Sequence, residues 1–132
     1  MGTFHTKCVV THVAQRRRAA ELSRVLVDTG SEYTWIPTDV LERIGIEREK
    51  KDLIFTMANG QHITRSVGFA VVHVGEAFTV DEVVFGEKGD LSLLGARSLE
   101  GLNLRVDSRA KRLVAAGPIL AAATVPSSNY KP

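Results

Sequence analysis

The chain is poor in cysteine and has no long apolar run. Its one cysteine, Cys8, excludes an intrachain disulfide and favours a reducing compartment. No apolar run approaches the ~18 residues that a membrane-spanning helix needs, and residues 1–13 lack the apolar segment of a signal peptide. We therefore expect a cytoplasmic protein that does not contact a membrane.

An excess of one charge is also missing, since 17 basic residues stand against 15 acidic ones, for a net charge of +2. This balance argues against a nucleic-acid partner, which requires a strongly basic surface. The histidines are scattered, and no Cys/His cluster has the spacing of a zinc site. Phosphate-binding and dinucleotide-binding glycine motifs are absent. We expect neither a metal nor an organic cofactor.

The length of 132 residues and the apolar content of 44% predict one domain with a single core. Alternating apolar and polar residues predict short strands at 7–13, 22–27, 53–58, 61–74, 78–85, 91–94, 104–106 and 112–115. Helical spacing predicts two brief helices at 38–44 and 96–101, the first with Thr38 or Asp39 as N-cap and Gly45 as its stop. These elements predict an all-β, barrel-like domain over residues 1–116. Residues 117–132 form a tail that is either disordered or an interface strand.

The sequence from Val25 to Ser31 runs from apolar residues straight into Asp28-Thr29-Gly30. One explanation is an ordinary turn, in which Asp binds its own backbone and Gly supplies a positive φ. The other is a functional carboxylate at the end of a buried strand. A second apolar-apolar-Gly sequence, Leu93-Leu94-Gly95, lies at a distance that allows it to pack beneath the first, which favours the functional explanation.

The stretch from Asp28 to Pro37 resembles the active-site segment of the pepsin-like aspartic proteases, including Trp35 and Pro37. The chain length, the single Asp-Thr-Gly and the later Leu-Leu-Gly-Ala-Arg-x-Leu resemble the retroviral-type (retropepsin-like) branch. The resemblance spans residues 7–115. It implies a closed β-barrel with a flap, the hairpin that closes over substrate, whose tip is the hairpin signal Asn59-Gly60.

The resemblance also implies roles for individual residues. Asp28 is the catalytic carboxylate, Gly30 offers it a backbone N–H, and Ser31 binds its outer oxygen. Thr29 binds its symmetry mate across a dimer, and Arg97 either helps to lock that dimer or is a solvated helix residue. Leu94 and Gly95 form the second motif. The flap and substrate-binding residues are Phe55, Met57, Ala58, Asn59 and Gly60, although an ordinary hairpin with packed side chains remains an alternative.

Two carboxylates are needed in this family, and the chain has a single Asp in a Thr-Gly context. The sequence therefore predicts a homodimer with Asp28 from each copy on the two-fold axis, acting as an endopeptidase on a peptide or protein substrate. The alternative is a catalytically silent peptide-binding or dimerisation module of the same fold. A third possibility is a subunit that pairs with a different Asp-bearing partner.

Overall fold

The computed structural model describes residues 3–119, which form nine strands and two short helices. In chain order they are β1 (His5–Thr11), β2 (Ala19–Val27), β3 (Thr34–Pro37), α1 (Thr38–Arg43), β4 (Lys50–Thr56), β5 (His62–Val74), β6 (Ala77–Gly86), β7 (Leu93–Leu94), α2 (Ala96–Leu102), β8 (Leu104–Asp107) and β9 (Arg112–Ala115). The protein is therefore mostly β, as the alternating sequence patterns predict.

Seven of the strands form one sheet in the order β1-β2-β7-β3-β6-β5-β4, and β8 pairs with β9 separately. Strand β1 also pairs with β5 through Val9–Thr11 and Val71–His73, so six strands close into a ring. Strand β5 is long enough to pair with β4 over its first half and with β1 over its last. The β4–β5 hairpin thus extends from the ring and is joined to it through β5.

The core fills the ring with branched apolar side chains. Val10, Val25, Ile36 and Leu41 are fully buried, and Phe85 is 2% exposed. Each buried side chain of this size contributes about 1.5–3 kcal/mol through removal of apolar surface from water. A second, smaller cluster around Trp35 lies under the β4–β5 hairpin. The ring is therefore a rigid support for the loops and the hairpin that rise from it.

Helix α1 begins differently from the prediction. Pro37 occupies the N-cap position, and its side chain has no polar atom that could make a capping hydrogen bond. Thr38 is already helical, and its Oγ1 donates to the Gly86 carbonyl oxygen at 2.8 Å. The predicted end is confirmed: Gly45 has φ +84°, and the N–H groups of Gly45 and Ile46 donate to carbonyl oxygens of the last helical turn. This is the Schellman arrangement that glycine favours.

Strand β3 is missing from the sequence prediction. Thr34 to Ile36 are all buried, because β3 lies between β6 and β7, so the run shows no alternation of polar and apolar residues. Pro37 ends the strand, where it needs no N–H for the ladder.

The hairpin at Asn59-Gly60 is confirmed, but its turn is longer than a two-residue Asn-Gly turn. Gly60 donates to the Met57 carbonyl oxygen at 2.8 Å, and Met57 donates to that of Gln61 at 2.7 Å. Gly60 alone of these residues has a positive φ, at +87°. A type I turn followed by a left-handed glycine gives this three-residue loop.

Residues 117–119, the described start of the predicted tail, are exposed, and the Gly117 carbonyl oxygen accepts a hydrogen bond from Asn103. The remainder of that tail, residues 120–132, lies outside the described range. Neither helix among the described residues has the length and apolar character that crossing a bilayer requires.

Candidate active site

Asp28 follows directly after β2, at the point where this strand runs parallel to β7. Val27 lies opposite Leu94 in that pairing, and the Asp28 backbone N–H donates to the Leu94 carbonyl oxygen at 3.0 Å. The two apolar sequences that precede Asp28 and Gly95 therefore pack side by side, as predicted. This contact fixes the place where the half-buried Asp28 leaves the core.

The loop after Asp28 orients its carboxylate. The Gly30 N–H donates to Asp28 Oδ1 at 3.0 Å, and the Ser31 N–H donates to the Asp28 carbonyl oxygen at 3.2 Å. A Cβ atom on residue 30 would lie 3.3 Å from Asp28 Oδ1, so glycine permits this close approach. Thr29 is exposed at the tip of the turn.

The side chain of Ser31 departs from the prediction. Its Oγ donates to the Tyr33 carbonyl oxygen at 2.9 Å instead of to the carboxylate of Asp28. The reason is local: the chain turns back at residues 31–33, which brings the Tyr33 carbonyl oxygen within reach of the Ser31 hydroxyl. In this chain Ser31 braces the loop.

A buried polar chain supports this loop from below. The Gly95 N–H donates to Thr34 Oγ1 at 3.0 Å, Thr34 Oγ1 lies 2.6 Å from Ser98 Oγ, and Ser98 Oγ donates to Asp81 Oδ2 at 2.8 Å. A carboxylate only accepts hydrogen bonds, so the hydroxyls must all donate in the direction of Asp81. These hydrogen bonds link β3, α2 and β6 to Gly95. Gly95 follows Leu94, whose carbonyl oxygen holds the backbone of Asp28.

Above Asp28 lies a groove of about 880 Å³ between the Asp28 loop, the β4–β5 hairpin and the end of the 87–92 loop. Of the predicted site residues, it brings together Asp28, Gly30, Ser31, Phe55, Met57 and Ala58. Asn59 and Gly60 form the hairpin turn, and Leu94 and Gly95 are buried behind the Asp28 loop. The remaining lining residues, which are not among the individually predicted site residues, are Glu32, Tyr33, Trp35, Leu53, Ile54, Thr56, Gly89, Asp90, Leu91 and Leu93.

Aromatic side chains join the hairpin to the floor of the groove. The Phe55 ring meets Trp35 edge-on at 5.3 Å and Tyr33 at 5.5 Å between ring centroids. Trp35 is 6% exposed, so it is a core residue and also a contact of the hairpin base. Phe55 both packs and lines the groove. Ile54, on the other face of β4, is 70% exposed.

Comparison with protein families gives these features a common explanation. The family model described as gag-polyprotein putative aspartyl protease matches residues 20–101, more than half of the chain. The chain belongs to this family. The matched range includes the Asp28 loop, the hairpin, Leu94-Gly95 and Arg97. No curated protein matches the chain at a significant level.

Within this aspartyl protease domain, Arg97 makes contacts inside its own chain. Its guanidinium lies over the Tyr33 ring, 4.7 Å from the centroid, and 3.5 Å from Glu82 Oε1. Glu82 Oε2 in turn binds Lys50 Nζ of β4 at 2.8 Å. Arg97 therefore braces one wall of the groove, and its side chain remains 44% exposed, which leaves the predicted dimer contact a prediction.

Each chain places one Asp-Thr-Gly carboxylate, that of Asp28, in its groove. A carboxylate accepts a proton from water, but cleavage of an amide also needs an acid for the carbonyl oxygen. Residues 3–119 hold no group of three or more His, Cys, Asp or Glu side chains arranged to bind a metal ion. The groove of one chain thus contains the Asp28 carboxylate, oriented by the Gly30 N–H, beside apolar lining residues.

Proposed function

We propose that this protein is an aspartic endopeptidase that acts as a homodimer, with Asp28 from each copy forming the catalytic pair. The observation that carries the proposal is the position of Asp28. Its carboxylate is oriented by Gly30, its backbone is held by Leu94, and it lines a groove beneath a hairpin. Because each chain supplies one such carboxylate, two copies related by a two-fold axis complete the site.

The mechanism follows from bringing two like charges together. Carboxylates about 3 Å apart do not both ionise, so the pair shares one proton and titrates as a unit. The ionised Asp28 takes a proton from the attacking water, and the protonated Asp28 of the second copy donates to the substrate carbonyl oxygen. The Gly30 N–H holds the carboxylate in place, so little reorganisation is needed during the reaction.

The groove supports an extended peptide with apolar side chains as substrate. Tyr33, Trp35, Phe55 and Leu93 supply the apolar lining, and exposed Ile54 and Met57 extend it along the hairpin. Closure of the hairpin over a bound peptide would exclude water and strengthen the electrostatic interactions inside. We regard the ring-like sheet with this hairpin as a retropepsin-like barrel with its flap.

The test is cleavage of a mixed peptide library at mildly acidic and neutral pH, read by mass spectrometry. Wild type should cut next to apolar residues, and a statine-type inhibitor should block the cuts. Asp28→Asn should cut nothing while it keeps its melting temperature and its oligomeric state. Asp39→Asn makes the same chemical change at an exposed position of α1 and should cut normally. Cuts that persist in Asp28→Asn would refute the assignment of Asp28.

A second candidate is a silent peptide-binding module. One observation favours it: a single chain already forms a groove with an apolar lining, whereas the proposed pair of carboxylates needs two chains. A statine-containing peptide that binds to a proven dimer, together with a complete absence of cuts, would select this candidate.

A further inference from the structure

One ion pair crosses from the β4–β5 hairpin to the opposite side of the groove. Arg65, on β5, donates from Nε to Asp90 Oδ2 at 2.7 Å and from Nη2 to Asp90 Oδ1 at 2.9 Å. This is the two-pronged geometry that guanidinium and carboxylate favour. The two side chains are only 14% and 13% exposed, whereas the pair between Lys7 and Glu21 is 65% and 60% exposed.

Asp90 also organises the loop in which it lies. Its Oδ2 accepts the Glu87 N–H at 2.7 Å, and its own N–H donates to the Glu87 carbonyl oxygen at 2.9 Å. The 87–90 turn is thus closed by the same carboxylate that holds Arg65. The hydrogen bonds from Arg65 hold the pKa of Asp90 below its ordinary value despite partial burial. Both carboxylate oxygens of Asp90 are therefore engaged by donors of the protein itself.

The two segments joined by this pair are the two side walls of the groove. Residues 53–58 of the hairpin line one wall, and Gly89, Asp90 and Leu91 line the other. Strand β4 is the last strand of the sheet and pairs with β5 alone among the described strands. Arg65 lies opposite Leu53 in that pairing, at the root of the hairpin, so the ion pair ties the hairpin to the loop where both leave the ring.

We propose that Arg65 and Asp90 are positioning residues that set the distance between the two walls, and through it the size of the substrate side chain that the groove accepts. Only the kinetic test of this proposal depends on the proposed peptidase activity. Neither residue takes part in the chemistry, which occurs at Asp28. The pair acts by fixing the 89–91 segment against the hairpin before a substrate arrives, so less ordering remains to be done on binding.

The test compares wild type with Asp90→Asn and Arg65→Lys. Asp90→Asn removes the charge, and Arg65→Lys keeps a charge but loses the two-pronged geometry. The control is Glu21→Gln, which breaks the exposed 3.3 Å pair with Lys7 near the start of β2. Two measurements are made on each protein: amide hydrogen exchange over residues 53–65 and 86–92, and kcat and KM on peptides that differ only in the size of one apolar side chain.

We expect exchange to rise by about tenfold in both segments together in Asp90→Asn, with a smaller rise in Arg65→Lys and none in Glu21→Gln. We expect KM to rise by about tenfold with kcat nearly unchanged, since binding is lost and chemistry is kept. The differences in KM among peptides with side chains of different size should shrink most in Asp90→Asn, less in Arg65→Lys and not at all in Glu21→Gln.

Exchange that stays at the wild-type level in both segments would overturn the proposal, and so would a fall in kcat with KM unchanged. A uniform rise in exchange over the whole chain would mean that the pair serves overall stability, which also contradicts a positioning role. Failure of wild type to cut any peptide would refute the proposed function instead. The exchange measurement and the binding of a statine-containing peptide would then still decide whether the pair ties the two walls.

Discussion

Replacing Thr34 by valine removes one hydroxyl from the polar chain beneath the Asp28 loop and keeps the shape of the side chain. Thr34 is fully buried, and its Oγ1 accepts the Gly95 N–H at 3.0 Å. Ser98 keeps its bond to Asp81, so the main loss is one buried N–H left without a partner. Such a group costs about 1–3 kcal/mol, and valine leaves no cavity to add to it.

For a domain of this size, 1 kcal/mol lowers the melting temperature by roughly 4 °C. The melting temperature of Thr34→Val should therefore fall by roughly 4–12 °C, as measured by circular dichroism. All proteins must be compared at one concentration, because the melting temperature of a dimer depends on protein concentration. Thr64→Val makes the same change at an exposed position of β5 and should melt within about 1–2 °C of wild type.

A melting temperature of Thr34→Val that equals that of Thr64→Val would refute the reasoning, since the Gly95 N–H would then have to find another partner at no cost. Loss of the hydrogen bond to Gly95 should also reduce peptide cleavage at temperatures where the Thr34→Val variant is still folded. The reason is that Gly95 adjoins Leu94, whose carbonyl oxygen holds the backbone of Asp28.

Three further predictions follow from other parts of the molecule. Hydrogen bonds from Arg65 lower the pKa of Asp90 below 3.8, so this carboxylate stabilises the fold above that pH and less as the pH falls through the lowered value. Urea unfolding at pH 7 should therefore give Asp90→Asn a lower free energy of unfolding than wild type, and the difference should be smaller near pH 3. A difference that does not change with pH would contradict this. Burial raises the pKa of Cys8 to about 12, so an aromatic disulfide reagent should label it only after unfolding, and rapid labelling of the native protein would count against the buried thiol. A Cβ atom on residue 95 would clash with the Tyr33 carbonyl oxygen, so Gly95→Ala should unfold at a markedly lower urea concentration than wild type, and an unchanged midpoint would contradict the close packing.

Local sequence patterns predict most of the elements because each depends on neighbouring residues. The alternation in residues 61–74 and 78–85 predicts β5 and β6, and Gly45 marks the end of α1. The apolar runs before Asp28 and Gly95 predict that these two segments lie together. The approximate ends of the strands are right within a few residues, since turn residues determine where strands stop.

The missed features depend on partners far away in the sequence. The closure of the ring joins β1 to β5, and the polar chain joins Thr34 to residues more than 60 positions later. The pairing of Arg65 with Asp90 is of the same kind. Periodicity shows that a strand has one buried face, but not which strand lies beside it. The groove residues of the 87–92 loop have no local signal at all.

The single-carboxylate loop of each chain makes subunit mixing the most direct test of the proposed site. Wild-type chains are allowed to exchange subunits with a ninefold excess of Asp28→Asn chains, and cleavage is measured per wild-type chain. An equal mass of an unrelated protein serves as the control. If each site needs one Asp28 from each copy, about one tenth of the wild-type chains keep an active partner and the activity falls to about one tenth. Activity that stays unchanged, with exchange of subunits demonstrated by mass spectrometry, would mean that one chain suffices and would contradict the shared site.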